Sequence, residues 1–210
     1  MCSQRFNQLP KVSSLGNLSA VRIAFKEWAV VVDALGRGEQ IIILRKGGIS
    51  EGRGGFNFDH PRFLLFPTLF HQQRESVIPA AQARFDRIAP TFPPKETARL
   101  EYCCEVAAWQ RLDSLASAGR LSGQHIWRDE VIAERFDWGK EKAIFALAVR
   151  VFRFPEVVEL PMRESYGGCK SWIELETEIA TESARPVLSD KLFAQKMNVF
   201  QTVLELTKAA

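Results

Sequence analysis

The chain has no apolar run approaching the ~20 residues needed to cross a bilayer. Its longest, such as Ala143–Val149, are far shorter, so no membrane partner is expected. The opening MCSQRFNQLPKVSSLGNLS follows its basic residues with no apolar stretch. It reads as a flexible leader over 1–18 and not as a signal peptide or anchor, and the expected location is the cytoplasm. Cysteine is sparse: Cys2, Cys103, Cys104 and Cys169 contain no C-x-x-C pair, so neither a zinc site nor a dithiol motif is spelled out. The three histidines are far apart, and no metal is expected. Both glycine fingerprints of nucleotide-binding loops are missing, so no cofactor is expected either. What remains is 210 residues, 46% hydrophobic and 25% charged. That is the composition of a globular protein able to bury a core without staples, and it excludes disorder, collagen and coiled coil.

Charge is uneven along the chain. Residues 1–74 carry a net charge of +5 and the remainder −2, within a total of +3. A basic excess on one segment suits phosphate or nucleic acid through counterion release, and equally suits an ordinary solvated face.

The stretch AVRIAFKEWAVVVDALGRG carries Val21, Phe25, Trp28, Val32 and Leu35 on one stripe behind a capping Asn17 or Ser19, which predicts a helix ended by Gly36 and Gly38. Gln40–Lys46 (QIIILRK) reads as a buried strand before Gly47-Gly48, and Phe63–Phe66 as a second strand stopped by Pro67. The segment between them is a Gly-rich loop beside Arg and Lys, where freed backbone N–H groups can meet an anion or merely turn the chain. Adjacent Pro93 and Pro94 mark a subdomain joint near 90–96. Leu100–Leu112 is expected as a long strand, with Cys103 and Cys104 on opposite faces. Asp113–Gly119 and Arg128–Trp138 are expected as helices, Ala143–Pro155 and Trp172–Leu175 as strands, and Asp190–Lys208 as an amphipathic helix. The segment 181–210 is thus a C-terminal helical segment.

LRKGGI (44–49), FLLFPT with His71-Gln72, HIW (125–127), RFDW (135–138), RVF (150–152) and YGGCKSW (166–172) together resemble the bacterial "domain of unknown function 1802" family over about 25–175. The resemblance names no activity. It implies that members sometimes occur near restriction-endonuclease-like domains, hence a nuclease-type partner in a defence context.

More distantly, FKEWAVVVDALGRGEQIIILRK is similar to the opening of ASCH domains, and FLLFPT and RVFRFPEVVELP to strands of EVE domains. Both belong to the PUA-like superfamily. The fold this implies is α+β, a PUA-like curved β-barrel over 19–180 with flanking helices and the C-terminal helix outside. The role it implies is binding of RNA or modified bases. In ASCH-type amidohydrolases the strand supplies Lys, Thr and Glu, where this chain has Gln40, Ile41 and Ile43. Isoleucine neither attacks nor transfers a proton, which favours binding over amide hydrolysis.

A base reader needs cations for phosphate, an aromatic plate and a polar edge-reader. Arg45, Lys46, Gly47 and Gly48, with Trp28 and with His71 and Gln72, supply these types. Core packing is the competing role for Trp28. The alternative is a hydrolase with an acid and base drawn from Glu27, His60 and His71, although no nucleophile motif accompanies them. A third reading is a structural partner protein. Arg135 with Trp138 reads as a cation–π pair, and Tyr166–Trp172 as a loop suited either to ligand contact or to a simple turn.

Overall fold

The computed structural model describes residues 20–46 and 60–205. The leader, the Gly-rich loop with Gly47 and Gly48, and the end of the last helix lie outside the described residues. Within them the architecture is α+β: strands β1 (Ala20–Trp28), β2 (Ile42–Arg45), β3 (Arg62–Thr68), β4 (Thr97–Leu112), β5 (Ile144–Pro161), β6 (Trp172–Ala180) and β7 (Arg185–Pro186). The helices are α1 (Ala29–Gly36), α2 (Gln72–Glu75), α3 (Pro79–Ile88), α4 (Leu115–Gly119), α5 (Asp129–Asp137) and α6 (Asp190–Glu205). None of these helices is long and apolar enough to cross a membrane.

The strands form one sheet in the order β2-β5-β4-β3-β1-β6, with β7 added to β5. Pairing is antiparallel except between β1 and β3. The ladders do not confirm the expected curved β-barrel, because among the described residues the path stays open between its ends, β2 and β6. The two ends nevertheless meet at one corner through side chains: Arg45 at the end of β2 donates to the Ser171 hydroxyl, just before β6. Bulges at Leu100/Tyr102 and Val106/Ala108 in the long β4–β5 ribbon supply local bending.

The helix expected across Ala20–Gly38 is a strand followed by a helix. The Val21, Phe25, Trp28 spacing matches a helical stripe and not strand alternation, and burial overrules it. Ala24 and Phe25, neighbours in sequence, are both fully buried in different cores. Only a strand covered on both faces does this. Phe25 joins Val30, Leu35, Ile42, Leu44 and Leu147 beneath α1, while Ala24 joins Leu64, Leu100, Ile173 and Leu175. Cys103 and Cys104 divide in the same way, as alternation predicts.

The other correction is at Pro67. It does not stop β3, which runs on to Thr68 against Trp28. Beyond Leu64 the β4 side of β3 is unpaired, so the missing proline N–H breaks no ladder there.

α1 leans on β4 through one close approach. A Cβ added to Gly36 would overlap the far end of the Tyr102 ring, which would have to shift. Ala normally gains about 0.5–1 kcal/mol over Gly inside a helix, but the overpacking here is worth about 1–3 kcal/mol. Gly36→Ala is therefore expected to destabilise, seen as a lower urea midpoint, and pairing it with Tyr102→Leu is expected to recover part of the loss.

Candidate functional site

The corner where β2 approaches β1 and β6 gathers most of the singled-out residues. β2 is buried until Arg45, whose guanidinium turns out of the core and lies 5.1 Å from the centre of the Phe25 ring. Its Nε and Nη2 donate to Ser171 Oγ at 3.3 and 3.2 Å. Trp172 packs its ring 4.7 Å from Phe25 and 5.1 Å from Phe63, and His60 meets it edge-on at 5.3 Å. Lys46, next along, donates to the carbonyls of Phe136, at 2.9 Å, and of Glu141. Lys26, on the opposite face of β1 from Phe25 and Glu27, donates to the carbonyls of Tyr166 and Gly168 at 3.0 and 2.6 Å.

α5 brings in Arg135. Its guanidinium lies between two indoles, 4.7 Å from the ring centre of Trp28 and 5.1 Å from that of Trp127. Nη1 donates to the Leu44 carbonyl at 3.1 Å. Burial pushes its pKa down to about 10, with Glu27 pulling it back up and Arg45 pushing it further down. Burial also lowers the Lys26 and Lys46 ammonium groups. Beside Arg135, Glu27 is fully buried: its Oε1 accepts from the Trp28 backbone N–H at 2.7 Å, and its Oε2 has no partner.

Elsewhere many arginines meet carboxylates, among them Arg22 with Glu178, Arg62 with Glu105 and Arg163 with Glu176. Among the described residues, Lys26, Arg45, Lys46 and Arg135 enter no ion pair, and every hydrogen bond they make goes to a neutral oxygen. The acids nearest Lys46 are engaged by other cations, Asp137 by Lys142 and Glu141 by Arg111. Of the four, Arg135 is coupled to the buried Glu27 carboxylate, and none is neutralised by a direct ion pair, so the corner carries a positive field.

The structure thus brings together Trp28, Arg45, Lys46 and Glu27, with His60 nearby through Trp172. His71 and Gln72 are exposed at the opening of α2, where their carbonyls take the Arg74 N–H and the Ser76 hydroxyl. Among the described residues no hydrogen bond joins Glu27 to His60 or His71. Trp28 is half-buried at the junction of β1 and α1, and Arg135 stacks on it and on Trp127, not on the exposed Trp138. Gln40 has a framework task, linking Ile126 N–H to the Ile42 carbonyl, and Ile41 and Ile43 are core. Sequence reasoning missed Lys26 and Trp127. Lys26 was visible as the neighbour of Glu27, and Trp127 as the end of HIW.

A cleft of about 470 Å³ lies elsewhere, between α1 and the β4–β5 ribbon, and none of the residues selected from sequence lines it. Its Arg37, Arg99 and Arg153 are each answered by a carboxylate, Asp33, Glu159 and Glu101. It lacks the uncompensated charge of the corner.

A family model described as "Domain of unknown function (DUF1802)" matches residues 24–199. No curated protein matches the chain. Among solved structures it is similar to an ASCH protein from Zymomonas mobilis, at 11% identity over 84% of this chain and 92% of that one, with a TM-score of 0.42. It is also similar to a serine-to-alanine variant of that protein, at 12% identity over 85% and 94%, TM-score 0.42. A tyrosine-to-phenylalanine variant aligns at 14% identity over 84% and 95%, TM-score 0.41.

His125 stands behind the site, its ring 5.5 Å from Trp127 and its Nδ1 unpartnered. Burial pulls its pKa from 6.5 down to about 4. The unfolded chain therefore binds the proton more tightly: stability is unaffected above about pH 6.5 and falls as the pH drops toward 4, by up to about 3 kcal/mol. Urea midpoints measured across this range are expected to drop less for His125→Gln than for the unaltered protein.

Proposed function

The chain belongs to the DUF1802 family, whose description assigns no activity, and on that footing we propose that it is a nucleic-acid-binding module that grips a single strand at the β1–β2–α5 corner. The observation that supports this reading is the set of four cations, Lys26, Arg45, Lys46 and Arg135, without an ion pair among the described residues. Surface pairs are worth little energetically, but they cancel field. Cations held by neutral oxygens keep their charge for a polyanion, which rewards them by releasing condensed counterions.

The aromatic content of the same corner favours a single strand over a duplex. Indole faces and the Arg135 guanidinium plane suit unstacked bases, which a duplex keeps inside its stack. Arg45 and Lys46 then take phosphates, and Trp28 offers the plate. Binding requires no proton transfer, consistent with Gln40 and Ile43 serving the framework.

The test is fluorescence anisotropy with labelled single-stranded RNA and DNA. Three or four phosphate contacts give a log–log salt slope of about −2 to −3, so affinity is expected to fall roughly 20- to 60-fold between about 50 and about 200 mM salt. Arg45→Gln, which keeps the aliphatic stem over Phe25, is expected to weaken binding and flatten the slope by about 0.7. Absence of binding above a neutral control protein, or affinity indifferent to salt, overturns the proposal.

A further inference from the structure

Two polar atoms at the corner are left over by the fold. Glu27 Oε2 is a buried acceptor with no donor, and Trp127 Nε1 is a buried donor with no acceptor. Glu27 is coupled electrostatically to Arg135, and the Arg135 guanidinium stacks on Trp127. A buried polar atom without a partner is costly, so such atoms mark places where another group completes the bonding.

We infer that the corner reads guanine, with Glu27 as the specificity-determining residue; this rests on the nucleic-acid reading above. The argument is one of matching hydrogen-bond patterns. A carboxylate only accepts. Oε2 is free, and Oε1 spends one lone pair on the Trp28 N–H, so both oxygens can accept from a ligand. Guanine alone among the standard bases presents two adjacent donors on its pairing edge, N1–H and the 2-amino group, with the O6 carbonyl beside them. O6 in turn suits the indole N–H of Trp127 or a guanidinium. Adenine and cytosine would set a ring-nitrogen lone pair against the carboxylate. Uracil and thymine offer one donor flanked by two carbonyls, both repelled.

The slot already holds a planar group of similar chemistry. The Arg135 guanidinium lies close to both Trp28 and Trp127, anchored by one hydrogen bond, to the Leu44 carbonyl. A guanine ring entering between the indoles displaces it, and the released guanidinium is then available to O6, N7 or the phosphate. Because Glu27 is fully buried, this exchange is the route by which a base reaches its carboxylate.

The experiment measures anisotropy of labelled single strands that differ only in one central base, G, inosine, A, C or U, in a uniform background. Guanine is expected to bind about tenfold tighter than A, C or U. Inosine, which lacks the 2-amino donor, is expected to lose most of that advantage. Glu27→Gln is expected to abolish the preference while leaving the salt dependence in place. The inosine comparison needs no variant, so it decides the matter even if Glu27→Gln folds poorly. Equal affinity for all five strands, with salt-dependent binding intact, overturns the guanine inference and leaves the nucleic-acid reading standing. No binding of any strand overturns both.

Discussion

A guanidinium held inside the protein between two indoles is the constraint on which the corner depends. Removing a charge from water is expensive unless something replaces the solvent. Arg135 receives the faces of Trp28 and Trp127, one carbonyl and the nearby Glu27 carboxylate, and burial still lowers its pKa. For that arrangement to exist, β1 must end at Trp28, the end of β2 must meet α5, and HIW must be held by the isolated Val77–Trp127 bridge. The open end of the sheet is tied at the same place, by Arg45 reaching Ser171.

The electrostatic character follows from how the cations are held. Backbone carbonyls and a hydroxyl orient Lys26, Lys46, Arg45 and Arg135 without neutralising them, whereas most of the remaining surface is balanced by short-range ion pairs. The net charge of the whole chain, +3, does not report this local arrangement. The 470 Å³ cleft has arginines that are already answered. Volume and uncompensated charge point to different places, and for a polyanion the charge is the relevant property.

Much of this was legible in the sequence where one period dominated. The long β4, β5 and α6 declare themselves through alternation or an amphipathic stripe, and Arg45 and Lys46 at a strand end were recognisable as cations leaving a buried run. The Ala20–Gly36 region was not, because a strand buried on both faces gives no alternation, and its apolar residues then mimic a helical stripe. The sequence also paired Arg135 with Trp138 by proximity along the chain, whereas folding gives it Trp28 and Trp127, one of them more than a hundred residues away. No local pattern encodes a contact of that span. Nor does any mark the unpartnered oxygen of Glu27, whose other oxygen takes the Trp28 N–H.

Hydrogen–deuterium exchange of the protein, free and saturated with a single-stranded RNA, addresses the central claim most directly. The account predicts slowed exchange at residues 26–28, 44–46 and 135–138, the backbone of the cation cluster and its aromatic slot. Protection confined to the cleft around Arg37, Arg99 and Arg153, with the corner unchanged, would contradict it.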